Sequence, residues 1–263
     1  MGKNEKTSSL SVLGNRELIT AIIIIAVMIA LIGLIFVTGN MGSTTPTPAS
    51  STNSSTSTTP TPEPVKSSRP SVELFVMSFC PYGVQAENAM APVIGLLGTK
   101  ADIVVRYITT ISGTTIDSVK SLHGPIEAKE DLRQLCIAKY YPQELWPYLT
   151  DFNKNCQSTL KNASSAAACG ANVTVKLTID SQKIETCASG SEGIALLKAD
   201  EAITNNLKVT GSPTLIINGQ QYSGQRTPDA FKQFICARFE TPPAECSVNL
   251  SAQAAATGSG SCG

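Results

Sequence analysis

Cys80 ends an apolar run, Val72-Glu73-Leu74-Phe75-Val76-Met77-Ser78-Phe79, and opens Cys80-Pro81-Tyr82-Gly83, after which the apolar spacing becomes helical. Proline is favoured at the first helical position, where an N–H would have no intrahelical partner, so Pro81 predicts Cys80 at the N-cap. A sulfur there faces unpaired backbone N–H groups and the positive end of the helix dipole, which favour thiolate over thiol. The chemistry expected of it is attack on a disulfide sulfur to form a mixed disulfide. A second cysteine three residues on would expel the product within the molecule, but that position is Gly83. Cys80 alone therefore predicts long-lived mixed disulfides, resolved by an external thiol, by the substrate's second thiol or by another cysteine of the chain. That is a monothiol exchange enzyme, poor at net dithiol oxidation.

The elements that must hold this thiol are legible on both sides of it. Val72–Ser78 reads as a strand and Val84–Leu97 as a helix with a kink at Pro92. Ile103–Ile108 has the β-branched and aromatic bias of a second strand. Thr214–Ile217 and Gln220–Tyr222 flank Asn218-Gly219, a two-residue hairpin turn, and Thr227 with Pro228 caps a closing helix, Asp229–Phe239. In between, Glu127–Tyr140, Glu144–Lys161, Ser181–Ala188 and Glu192–Asn206 carry apolar residues at three- and four-residue intervals. The expected architecture is an α/β frame over about 71–246, β-α-β then β-β-α, with a helical subdomain inserted at about 114–208.

The 263 residues carry no net formal charge, so nothing suggests a nucleic-acid partner. Leu18 to Thr38 holds no charged residue and is dense in Ile, Leu, Val and Ala, long enough to span a bilayer. A retained signal-anchor at 18–39 is the reading adopted; a cleaved signal peptide is its rival. Lys3, Lys6 and Arg16 precede the span and no Lys or Arg follows until Lys66, which leaves 1–17 in the cytoplasm and the rest outside. The Ser/Thr/Pro-rich stretch of the 40–70 linker buries too little apolar surface to fold and reads as a disordered stalk. The Ala/Gly/Ser-rich tail, 247–263, also reads as disordered, apart from its penultimate Cys262. Eight cysteines facing an oxidising space predict disulfides. No Cys-x-x-Cys and no zinc-type His/Cys spacing occurs, and His123 is the sole histidine, so neither a metal nor a bound cofactor is expected.

A Cys-Pro at the first helix of β-α-β followed by β-β-α resembles the thioredoxin fold, and the helical insertion resembles its DsbA-like branch. Within the insertion, His123-Gly124-Pro125-Ile126-Glu127 followed by Cys136 resembles the signature of gamma-interferon-inducible lysosomal thiol reductases. His, Gly, Glu and the last Cys fit in register, while Ser121, Ala128 and Asp131 replace two cysteines and an asparagine. The resemblance implies a cis bond at Ser212-Pro213 and a groove beside Cys80 where the Ser212 backbone could hydrogen-bond an extended peptide in β fashion. Relatives often carry a buried carboxylate six residues before the nucleophile; here that residue is Leu74, with Glu73 on the opposite face. Tyr82 either contacts substrate or is a solvent-facing turn residue. His123 is a helix-start residue or a proton shuttle.

Cys236 and Cys246 are expected to bridge, tying the last helix to the chain that leaves it. Cys136, Cys156, Cys169 and Cys187 make two further bridges in one of three connectivities. That leaves Cys80 and Cys262, the latter either a remote resolving thiol for Cys80 or a free or intermolecular cysteine. The function expected is a membrane-anchored, extracytoplasmic thiol–disulfide oxidoreductase or isomerase. Its substrates would be cysteine-containing proteins, and an external thiol or membrane redox partner would recycle it. The alternatives are a non-catalytic peptide-binding or chaperone module, and a surface protein whose cysteines are all structural.

Overall fold

Alternation along Ser71-Val72-Glu73-Leu74-Phe75-Val76 sends Val72, Leu74 and Val76 into one buried cluster and Phe75 into another. A strand buried on both faces belongs in the middle of a sheet, and the computed structural model, which describes residues 64–250 and 260–263, places it there. β1 (Ser71–Val76) runs parallel to β2 (Asp102–Tyr107) and antiparallel to β5 (Thr214–Ile217), which pairs with β6 (Gln220–Gln221). The sheet order is β2-β1-β5-β6. β3 (Thr110–Ile111) and β4 (Val119–Lys120) form a separate two-stranded ribbon that no periodicity signalled. Asn218 and Gly219 take φ of 46° and 78°, the left-handed values that a tight β5–β6 turn requires.

The helices, in chain order, are α1 (Pro81–Leu97), α2 (Pro125–Tyr140), α3 (Leu145–Asn155), α4 (Ala163–Lys176), α5 (Ser181–Ser189), α6 (Ser191–Asn206) and α7 (Pro228–Cys236). On the Leu74 face, Ala86, Met90 and Val93 of α1 and Phe231 and Ile235 of α7 share the main core with residues of the insertion. On the other face Ile203 of α6, with Leu207 and Val209, covers Phe75 and Ile216. The fold is thus α/β and thioredoxin-like with a helical insertion, but α6 lies against the sheet and belongs to the frame.

Two boundaries differ from expectation inside the insertion. The helix expected over Glu144–Lys161 ends at Asn155, and α4 begins where Asn162 caps it, its Oδ1 accepting from the Ser165 N–H at 3.0 Å. The small residues of Ala163–Gly170 hide that start from any apolar count. Cys156–Cys169 ties the two segments together, Cys136–Cys187 joins α2 to α5, and Cys236–Cys246 closes the end of α7 as expected. α1 runs through Pro92 as one helix.

Both ends of the domain reach further than the sequence suggests. Ser67, assigned to the stalk, exchanges backbone hydrogen bonds with Arg238 and Glu240. Cys262, in the tail expected to be disordered, pairs with Ser212. The expected span at 18–39 lies outside the described residues, among which no helix is long and apolar enough to cross a membrane.

One packing detail makes stability depend on pH. Glu87 of α1 is buried against Asn153 of α3, whose Nδ2 donates to Glu87 Oε2 at 2.6 Å, while Glu87 Oε1 and Asn153 Oδ1 have no partner among the described residues. Burial outweighs that bond and, with the charge of Glu130, raises the carboxyl from 4.5 to about 8. The native state therefore keeps a proton that the unfolded chain releases near 4.5, so this group's contribution to stability falls as pH rises from there to about 8. Glu87→Gln is neutral throughout. Urea unfolding should show the variant gaining on the native chain by roughly 3 kcal/mol between about pH 5 and 8; parallel curves would mean that Glu87 is ionised in the fold.

Candidate active site

The turn from β1 into α1 has the backbone donors of Met77, Ser78, Phe79 and Cys80 all satisfied. Met77 N–H donates to Ser212 Oγ at 3.0 Å, Ser78 N–H to Asp131 Oδ1 at 3.1 Å, Phe79 N–H to Glu127 Oε1 at 2.9 Å, and Cys80 N–H to the Met77 carbonyl at 3.0 Å. A buried turn needs this complete pairing. Cys80 is the N-cap of α1, with Pro81 in its first turn, as the spacing predicts. It is not the lone accessible thiol expected of it. Cys80 is 0% exposed and its sulfur is bonded to Cys262, which brings the far end of the chain onto the helix start. Met77, Tyr82 and Ile108 pack around this bridge.

The carboxylate missing at Leu74 is replaced from another element. Glu127 and Asp131, one turn apart on α2, are both fully buried beneath the turn. Glu127 accepts from the N–H groups of Phe79 and His123, each at 2.9 Å, and from the Ser121 hydroxyl; His123 Nδ1 lies 2.8 Å away. Burial first, and then the charge of Glu127, hold the Asp131 carboxyl well above the ordinary carboxylate range. His123 braces Glu127 at the start of α2, in keeping with the helix-start role. Glu73 faces away and pairs with Arg106 at 2.6 Å.

The third wall is the turn before β5. Ser212-Pro213 is cis, and Ser212 is fully buried with its carbonyl oxygen 3.3 Å from Cys80 Sγ. A Cβ on Gly83 would stand 2.7 Å from Ser212 Oγ and 3.2 Å from the Met77 carbonyl oxygen. The volume that a cysteine side chain would need at position 83 is therefore taken by Ser212, whose hydroxyl is fixed by Met77. Residues 260–263 lie along this wall. Ser212 and Cys262 exchange two backbone hydrogen bonds of 2.8 Å in an antiparallel bridge, and Ser261 Oγ donates to the Ser212 carbonyl at 3.1 Å. Arg226 Nη1 donates to the Gly260 carbonyl at 2.6 Å, and its guanidinium carbon lies 6.0 Å from the centre of the half-buried Tyr82 ring.

Cys80, Pro81, Tyr82, Ser212 and Pro213 thus meet at one place, whereas Cys236–Cys246 is a staple at the end of α7. Glu127, Asp131 and Arg226 were not read as site residues. The i, i+4 spacing of the two acids was visible, but on a helix it ordinarily marks a solvated face. Arg226 had no signal.

Comparison with known proteins bears on the fold and on part of the chain. Residues 110–236 match the family described as the vacuolar sorting receptor thioredoxin-like domain. Vacuolar-sorting receptor 5 of Arabidopsis thaliana is 33% identical over 131 residues, which is 44% of this chain and 21% of that protein. Vacuolar-sorting receptor 1 of Pisum sativum is 33% identical over 134 residues, 46% and 21%. The chain thus spans about a fifth of the length of these curated relatives. Oxidised BdbD of Bacillus subtilis superposes with a TM-score of 0.50 at 12% identity, over 66% of this chain and 90% of that one. The protein has a thioredoxin-like fold with DsbA-like structural neighbours. The matched residues 110–236 include Glu127, Asp131, Ser212 and Pro213 and stop short of both Cys80 and Cys262.

Proposed function

We propose that this chain is a thiol–disulfide exchange protein acting on cysteine-containing proteins, with Cys80 as nucleophile and Cys262 as its resolving partner. The observation that carries this is the Cys80–Cys262 bridge at a proline-capped helix start, against the cis Ser212-Pro213 turn. Two thiols on one chain replace the monothiol scheme. In the reduced protein, the Cys80 thiolate attacks one sulfur of a substrate disulfide, and the other leaves as a thiolate that takes a proton from water. The Cys262 thiolate then attacks Cys80 Sγ, the second substrate thiolate departs, and two electrons have passed from the protein to the substrate. The reverse sequence oxidises a substrate dithiol.

Retention at a membrane by 18–39, with the domain outside the cytoplasm, is part of this reading. It is supported by the charges flanking the span and by four disulfides in the folded domain. A membrane redox protein or a small thiol would recycle the couple. Insulin reduction with dithiothreitol measures the function. Cys80→Ser should abolish the protein's acceleration, and Cys262→Ser should slow turnover by about tenfold while a Cys80 mixed disulfide accumulates. Acceleration indifferent to both changes would exclude the exchange reading.

The match to a receptor's thioredoxin-like domain and the complete burial of Cys80 favour a second reading, a peptide-binding module in which the bridge is structural. In that case Cys80 and Cys262 stay oxidised in a glutathione buffer that cycles exchange enzymes.

A further inference from the structure

We propose that Gly260-Ser261-Cys262-Gly263 is a built-in copy of the substrate, and that Tyr82 and Arg226 form a subsite selecting glycine two residues before the reacting cysteine. The substrate class this names is an extended Gly-x-Cys segment of a protein or peptide. The inference rests on the exchange function proposed above.

Three observations carry it. First, the paired hydrogen bonds between Ser212 and Cys262 fix both the direction and the register of an extended segment whose cysteine meets Cys80. A docked strand is read by its backbone in this way, and side-chain pockets then set its identity. Second, the residue two before the cysteine lies against the Tyr82 ring. A Cβ on Gly260 would stand 2.0 Å from Tyr82 Cζ and 2.4 and 2.5 Å from its two Cε atoms, so any other residue must push the ring aside. Third, the same residue's carbonyl receives the Arg226 guanidinium at 2.6 Å, which holds that backbone under the ring. The ring packs against the cluster of Met77, Cys80 and Cys262, and the Arg226 guanidinium carbon lies 6.0 Å from its centre, so moving it disturbs contacts at the bridge. Ser261 meets no comparable wall; its hydroxyl adds one bond to the Ser212 carbonyl. A Cβ on Gly263, at φ 99°, would stand 2.5 Å from the Thr210 carbonyl oxygen, so the position after the cysteine is closed by backbone, and the Tyr82 wall is the side-chain subsite.

The test uses the full chain and has two arms. In a glutathione redox buffer, peptide mapping gives the ratio of Cys80–Cys262 bridge to Cys80–glutathione adduct. Gly260→Val should lower that ratio about tenfold, and Tyr82→Ala added to it should restore most of the loss by making room. In the second arm Cys262→Ser removes the bridge and frees the Cys80 sulfur for exchange. Gly-Ser-Cys-Gly and Val-Ser-Cys-Gly are supplied as thiopyridyl disulfides, and the Cys80 thiolate takes up the peptide sulfur as thiopyridone leaves. The glycine peptide should react about tenfold faster, and Tyr82→Ala should erase the difference. Equal bridging in Gly260→Val and native chains, or equal rates for the two peptides, overturns the subsite. Insulin activity with no preference for glycine rejects the subsite alone. A glycine preference without insulin activity rejects the enzyme and keeps the subsite.

Discussion

Glu127→Ala should cost about 2–4 kcal/mol of folding stability and slow exchange at Cys80. The carboxylate is fully buried and is the acceptor for the Phe79 and His123 amides. Truncation strands the buried Phe79 amide, at about 1–3 kcal/mol, and strips the part-buried His123 amide and Ser121 hydroxyl of their acceptor. Phe79 adjoins Cys80, so the released amide loosens the residue that presents the sulfur. Urea unfolding measures the first effect and thiopyridyl exchange the second. Asp131→Asn is the informative contrast. Its carboxyl is held well above the ordinary carboxylate range, by burial first. Asparagine keeps the Oδ1 acceptor for Ser78, and the change should stay within about 1 kcal/mol. A large loss from Asp131→Asn would mean that the fold needs the carboxyl itself at that position.

Removing the Cys136–Cys187 bridge should have an effect of similar size by a different route. Cysteines separated by 51 residues close a long loop, and opening it restores about 4 kcal/mol of chain entropy to the unfolded state. Both sulfurs are buried, so the double Cys136→Ala, Cys187→Ala variant also loses packing between α2 and α5. The shorter Cys236–Cys246 loop, with a separation of 10, predicts about 3 kcal/mol. Thermal unfolding of the two double variants should preserve that order. The consequence extends to the site, because α2 carries Glu127 and Asp131 beneath the Cys80 turn. Loss of the α2–α5 bridge should therefore also lower exchange activity, whereas loss of Cys236–Cys246 should leave it near native.

Much of the frame was legible because it is local. The period of two from Val72 to Val76, the proline after Cys80, the Asn218-Gly219 turn and the Thr227-Pro228 cap each act on neighbours in the chain, and each forms the element expected of it. That this strand is buried on both faces and central in the sheet is a fact of the fold. The cysteine count implied disulfides, but a count holds no geometry. That Cys136 reaches Cys187 and Cys156 reaches Cys169 follows from how α2, α3, α4 and α5 pack. The site itself is a product of long-range contact. Ser212 meets Met77 across 135 positions, Asp131 meets Ser78 across 53, and Cys262 meets Cys80 across 182. Sequence alone identified a sulfur at a helix start and a missing neighbour at Gly83. Only the tertiary structure supplied the two acids below it and the serine hydroxyl filling the vacant corner, and chose between the two readings of Cys262, because each is brought there by packing of elements that share no local signal.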